Sequence, residues 1–98
     1  MNIVSTMQFT AVRAVKILFR LFLEILDELK TENDAKIENL NNTLHDLEDF
    51  IKKEHGITIS LTTYVKYANI FDEAKMKQLR KRVLDYGNSL LREIETQR

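Results

Sequence analysis

The sequence predicts an all-α fold, a small bundle of three to four helices that self-associates, and three observations predict it. No proline and only two glycines occur among 98 residues, so the seven or eight strands of an all-β domain would lack their turn residues. Apolar residues recur at alternating spacings of three and four through most of the chain, which is the helical period. A composition of 44% hydrophobic and 31% charged residues supplies both a core and a polar surface, which a disordered tail lacks. One domain, residues 1–98, fits this length. Absence of cysteine excludes a disulfide scaffold, thiol catalysis and a cysteine-ligated zinc site.

The first helix is expected over about residues 6–30. Ser5 followed three residues later by Gln8 reads as a capping box, with Val4 and Phe9 placed to form its hydrophobic staple. Beyond it the apolar residues are so dense that the polar ones form the narrower stripe: Arg13, Lys16, Arg20, Glu24 and then Asp27 or Glu28. An ordinary surface helix shows the reverse proportion. This helix is therefore expected to meet neighbours on two or three sides, as the centre of the bundle or as an oligomer interface. Phe19, Leu23 and Leu26 in particular carry the surplus that one hairpin seam would leave over, and with Phe22 they form the expected protein interface. A membrane span needs roughly 20 predominantly apolar residues, whereas here a charge recurs every three or four positions. The N-terminus also lacks the basic cluster and cleavage site of a signal peptide, so the chain reads as mature, soluble and cytoplasmic.

A second helix is expected over 35–55, with Ile37, Leu40, Leu44, Leu47 and Ile51 on a narrow seam. Val15, Leu18, Phe22, Ile25 and Leu29 repeat that spacing in the first helix. The two should pair as an antiparallel hairpin turning at 31–34; the alternative is one uninterrupted helix, since neither glycine nor proline forces a break there. Lys52, Lys53 and His55 suit the C-terminal end of the helix dipole, and Gly56 is suited to the left-handed cap, with Ile57 folding back on Ile51. Residues 57–61 alternate in polarity, but a single strand has no partner, so a connector is expected. Ser60 is placed to cap a third helix over 61–71 that buries Leu61, Tyr64, Val65, Ala68 and Phe71. Asp72 is placed to cap a fourth over 73–96, with Met76, Leu79, Val83, Tyr86 and Leu90 inward. Gly87 either ends that helix or lies inside it where another helix approaches closely.

Enzyme signatures are absent. Glycines at positions 56 and 87 alone allow no phosphate loop, and no nucleophile elbow surrounds Ser5, Ser60 or Ser89, each of which reads as a helix cap. His45 with Glu48 or Asp49 is the best metal candidate, but the ligand count is incomplete, so no metal and no cofactor is expected. The neighbouring carboxylates Asp27 with Glu28, and Glu48 with Asp49, read as solvated rather than catalytic.

Charge is uneven along the chain. Residues 1–23 carry +3 (three bases), 24–54 carry −6 (four bases against ten acids), and 55–98 carry +3 (eight bases against five acids). Lys75, Lys77, Arg80, Lys81 and Arg82 flank the apolar seam of the fourth helix on both sides and cover its back, ready for phosphate or for an acidic partner. The leading expectation is a non-enzymatic protein-interaction module, a homodimer or higher oligomer acting as a regulator, inhibitor or adaptor of another protein. In size and class it is like many phage and bacterial regulators. A nucleic-acid-binding protein using the basic fourth helix is the alternative, and a membrane-surface or immunity-type helical protein is a further one.

Overall fold

A computed structural model describes residues 10–68 and 72–96, with only the backbone described at Tyr67. Among the described residues there are four helices and no strand: α1 (Ala11–Thr31), α2 (Asp34–His55), α3 (Thr62–Ala68) and α4 (Glu73–Thr96). The all-α bundle expected from the sequence is what the chain forms.

α1 begins later than the sequence suggested. Thr10 has extended backbone, with ψ 157°, and its hydroxyl accepts the Arg13 N–H at 3.2 Å, so Thr10 is the cap of this helix. The Ser5–Gln8 capping box and the Val4–Phe9 staple lie outside the described residues. From Ala14 to Leu26 the buried positions are Ala14, Val15, Leu18, Phe19, Phe22, Ile25 and Leu26. At 100° per residue they span an arc of about 140°. Arg13, Lys16, Arg20, Glu24 and Asp27 lie opposite and are exposed.

The break between α1 and α2 rests on two residues. Glu32 turns the chain in the left-handed region (φ 55°, ψ 30°), and the Asn33 side chain accepts the Lys36 N–H at 3.3 Å to start α2. A hairpin results rather than one long helix. Lys36 reaches back to Glu28 at 2.8 Å, and the Thr31 hydroxyl donates to the same carboxylate at 3.0 Å. The Lys36 hydrogen bond, then that of Thr31, holds the Glu28 carboxyl below its ordinary value of 4.5, and the Glu28 carboxylate raises the Lys36 ammonium above 10.5. The sign follows: this pair supports the fold most between those two values, losing its Glu28 share as pH falls through 4.5 and below, and its Lys36 share as pH rises past 10.5. An NMR titration should place the Glu28 midpoint below 4.5 and return it toward that value in Lys36→Met.

Because a left-handed conformation costs a side-chain-bearing residue about 1–2 kcal/mol, Glu32→Gly should raise stability. Glycine's greater freedom in the unfolded chain offsets part of that gain. The expected net is about 0.5–1 kcal/mol, read as a higher urea midpoint at unchanged slope.

α2 buries Leu44, Leu47 and Ile51 and ends on Gly56, whose φ is 69° and whose N–H donates to the Lys52 carbonyl at 3.0 Å. Ile57 is partly buried against the core that contains Ile51. Residues 57–61 form the expected connector, with Ile59 and Leu61 buried. α3 is described over Thr62–Ala68, and the rest of the expected helix, Phe71 included, lies outside the described residues. Leu61, Val65 and Ala68 are buried at spacings of four and three, leaving Tyr64 about 65° off the centre of that line and exposed instead of buried.

Ser60 does not cap α3. Its hydroxyl pairs with that of Thr63 at 3.1 Å, while the capping is supplied from α2. Glu48, one of the carboxylates expected to be solvated, is 8% exposed, and it accepts hydrogen bonds from the Leu61 N–H, the Thr62 N–H and the Thr62 hydroxyl. A buried carboxylate survives there because the orphan donors of a helix N-terminus surround it.

Asp72 caps α4 as expected, accepting the Lys75 N–H at 2.8 Å. The helix runs unbroken through Gly87, with Ser89 exposed within it rather than at a helix start. Gly87 is buried, and Tyr86 is 46% exposed instead of inward. Four residues beyond Val83, Gly87 faces α1, where a Cβ would meet the Phe19 ring at 3.2 Å. The Tyr86 ring packs edge-on to Phe19 from the side, with centroids 5.6 Å apart.

α1 is the central helix, packing against α2, α4 and α3, and α3 also packs on α2. The Glu28–Lys36 pair places α2 on one flank of α1. Asp27–Arg80 and Phe19–Gly87 place α4 antiparallel on the other. The result is a flat layer measuring 40 × 32 × 15 Å, with α1 between its two long neighbours.

Candidate protein interface

The four side chains expected to face a partner are mostly covered within the single chain. Phe22 and Leu26 are fully buried, Phe19 is 7% exposed, and only Leu23 retains partial exposure. α2 and α4 take up both sides of the apolar arc, and Ile59, Leu61, Val65 and Ala68 join the same core. The expectation of an exposed apolar surplus on the first helix therefore does not hold for Phe19, Phe22 and Leu26. One hairpin seam leaves Phe19 and Leu26 over, but a three-sided packing absorbs them.

One exposed leucine, Leu84, is a residue that the sequence did not single out. The contacts Asp27–Arg80 and Phe19–Gly87 fix the register of α1 and α4, and that register sets Leu23 level with Leu84. Leu84 is 44% exposed, on the flank of α4 next to the polar row of α1. Its spacing of four from Arg80 offered the one available signal, since it interrupts the polar positions of an otherwise charged flank.

The basic cluster divides around the helix. Lys77 and Lys81 lie three to seven residues before Leu84 on its own flank, and both are exposed. Lys75 and Arg82 are exposed on the opposite flank, beside Tyr86. Arg80 is the member that turns inward. Its guanidinium bonds the Asp27 carboxylate across the seam, with the arginine side chain 34% and the aspartate 63% exposed. A surface pair of this kind contributes about 0–1 kcal/mol, so its weight is in register rather than stability. Arg20, three residues before Leu23 on α1, adds another exposed cation to the same face.

A concavity of about 450 Å³ lies between α2 and α3 and is lined by His45, Glu48, Asp49, Lys52, Thr63 and Lys66 among others. The His45 ring nitrogens stand 4.0 Å from Glu48 and 3.9 Å from Asp49, too far for hydrogen bonds. Glu48 is already committed to α3. Among the described residues no group of three or more histidines and carboxylates could hold a metal ion, and no described helix is long and apolar enough to cross a membrane.

The register of α1 and α4 thus sets two leucines, one part-exposed and one exposed, level with each other beside exposed cations. No protein-family model, no curated protein and no solved structure matches this chain.

Proposed function

We propose that the chain is a small non-enzymatic protein-interaction module, a regulator, inhibitor or adaptor that works by docking on another protein through the α1–α4 seam. The observation that carries this reading is the exposure of Leu84, level with Leu23 in the register of α1 and α4, where the other large aliphatic side chains among the described residues are buried or partly buried. An exposed leucine alone is ordinary; one level with a second, part-exposed leucine, one turn from an inter-helix ion pair and with Lys77 and Lys81 on its own flank, has the layout of an anchor with a polar rim. Two leucines offer far less than the ~800 Å² per partner of a stable dimer. With the surplus of the first helix covered inside the chain, the occupant is better read as a different protein than as a second copy.

A photo-crosslinking residue at position 84, compared with one at Lys53 on the far flank, tests this in lysate of the native host. The expected result is a discrete protein adduct at 84 and none at 53. An adduct of twice the chain's own mass would assign the seam to self-association. Equal labelling at both positions, or none, would remove the reading. The exposed Lys75, Lys77, Lys81 and Arg82 support nucleic-acid binding as a second reading, but their division between two flanks leaves no single track for a phosphate backbone.

A further inference from the structure

We infer that the segment docking on the α1–α4 seam is an acidic amphipathic helix, an assignment that rests on the reading above and names the chemistry of its partner. Two antiparallel helices side by side leave a shallow groove along their seam, and a third helix is the element whose apolar stripe fits such a groove. Leu23 and Leu84 form the apolar floor, so the docking helix needs apolar residues at positions i and i+3 or i+4. Its flanks must meet Arg20 on one wall and Lys77 and Lys81 on the other, which calls for carboxylates on both sides of the apolar stripe.

Among the described residues Arg20, Lys77 and Lys81 form no ion pair within 4 Å, although Glu24, Glu73 and Asp85 stand four residues from them on the same helices. Asp27 is committed to Arg80. Glu24 lies toward α2, where its charge acts on Lys36. Glu38, Asp46 and Asp49 lie exposed on α2, which is separated from α4 by the width of α1. Those α2 acids do not make a second copy the natural occupant, because the outer stripe formed by Glu38, Asn42, Asp46 and Asp49 offers no apolar residue to reach Leu84. Pairing one seam with another would set cation against cation. A nucleic acid would gain from Lys77 and Lys81, yet its backbone has no apolar stripe to set on Leu84.

The test is a fluorescence-anisotropy titration of the full chain with a labelled synthetic helix of about 18 residues, leucines four apart on one face and glutamates flanking them. Binding is expected to weaken at least about tenfold in Lys77→Glu/Lys81→Glu, in Leu84→Asp, and when NaCl rises from ~0.05 to ~0.5 M, which shortens the screening length severalfold. Lys53→Glu and Lys66→Glu, equal charge changes elsewhere, should leave it within about twofold, and unchanged circular dichroism and urea midpoints exclude unfolding as the cause. A peptide with glutamine for glutamate, or serine for leucine, should bind at least about tenfold more weakly. If the glutamine peptide binds equally, or no acidic peptide binds while position 84 still crosslinks a protein, the acidic assignment is overturned and the docking reading survives. Tighter binding of a duplex oligonucleotide or of anionic vesicles than of the peptide would overturn it in favour of those ligands. Concentration-dependent self-association abolished by Leu84→Asp would overturn it in favour of a second copy.

Discussion

Glu48→Ala should lower the stability of the whole domain by about 3 kcal/mol, measured as a reduced urea midpoint, because it strands buried donors instead of removing one exposed charge. The carboxylate accepts from the Leu61 N–H, which is buried, and from the N–H and hydroxyl of Thr62. A hydrogen bond to a charged group contributes about 1.5–3 kcal/mol, and a buried donor left without a partner costs about 1–3 kcal/mol. Water reaching the part-buried Thr62 recovers some of that loss, which sets the estimate near the middle of the range. Glu48→Gln separates charge from geometry. Its carbonyl oxygen can still accept the two N–H groups, and the Thr62 hydroxyl can turn to accept from the new amide. That variant should cost only about 1 kcal/mol, the difference between a charged and a neutral acceptor. Hydrogen exchange should show the lost protection concentrated at the start of α3. If Glu48→Ala matched Asp46→Ala, an exposed neighbour on the same helix, the cap would be energetically empty.

That capping bond marks where sequence reasoning reached and where it stopped. Gly56 was legible because a left-handed cap is local: its φ of 69° depends on residues a few positions away. The inward seam of α2 was legible for the same reason, since Leu44, Leu47 and Ile51 follow one helical period. Glu48 was not. In sequence it is one acid of the pair Glu48–Asp49, and only the return of the chain 13 residues later gives it donors to meet. Local rules named Ser60 as the cap because they cannot see a carboxylate arriving from another helix.

The candidate interface follows the same division. The polar row of α1 and the cations of α4 can be read from periodicity. What cannot be read is how many neighbours share an apolar arc, and that number decides whether Phe22 and Leu26 meet a partner or the chain's own core. Tyr64 and Tyr86 show the limit from the other side. Both hold apolar positions in their local patterns, yet α3 rotates Tyr64 outward, and the close approach at Gly87 moves the inward line of α4 one residue past Tyr86.

Gly87→Val should destabilise the domain by about 2–3 kcal/mol even though valine is the better helix residue. Glycine inside a helix costs about 0.8–1 kcal/mol relative to alanine, so on propensity alone any side chain at position 87 should help. A Cβ there would stand 3.2 Å from two carbons of the Phe19 ring, inside ordinary van der Waals contact. The ring has little room to yield, being 7% exposed and braced edge-on by Tyr86. Gly87→Ala asks Phe19 to move a few tenths of an ångström, and its propensity gain and overpacking cost should nearly cancel. Valine adds two further carbons at the same contact, where overpacking costs about 1–3 kcal/mol, and its β-branch gives back part of the propensity gain. The decisive measurement is a double-mutant cycle: in a Phe19→Leu background, Gly87→Ala should become stabilising by about 1 kcal/mol, a coupling of that size across the helix pair. A full stabilisation by Gly87→Ala in the wild-type background would mean that α1 and α4 are not held this close. The same approach keeps Leu84 level with Leu23, so Gly87→Val should also weaken docking on the seam, although position 87 is buried and touches no partner.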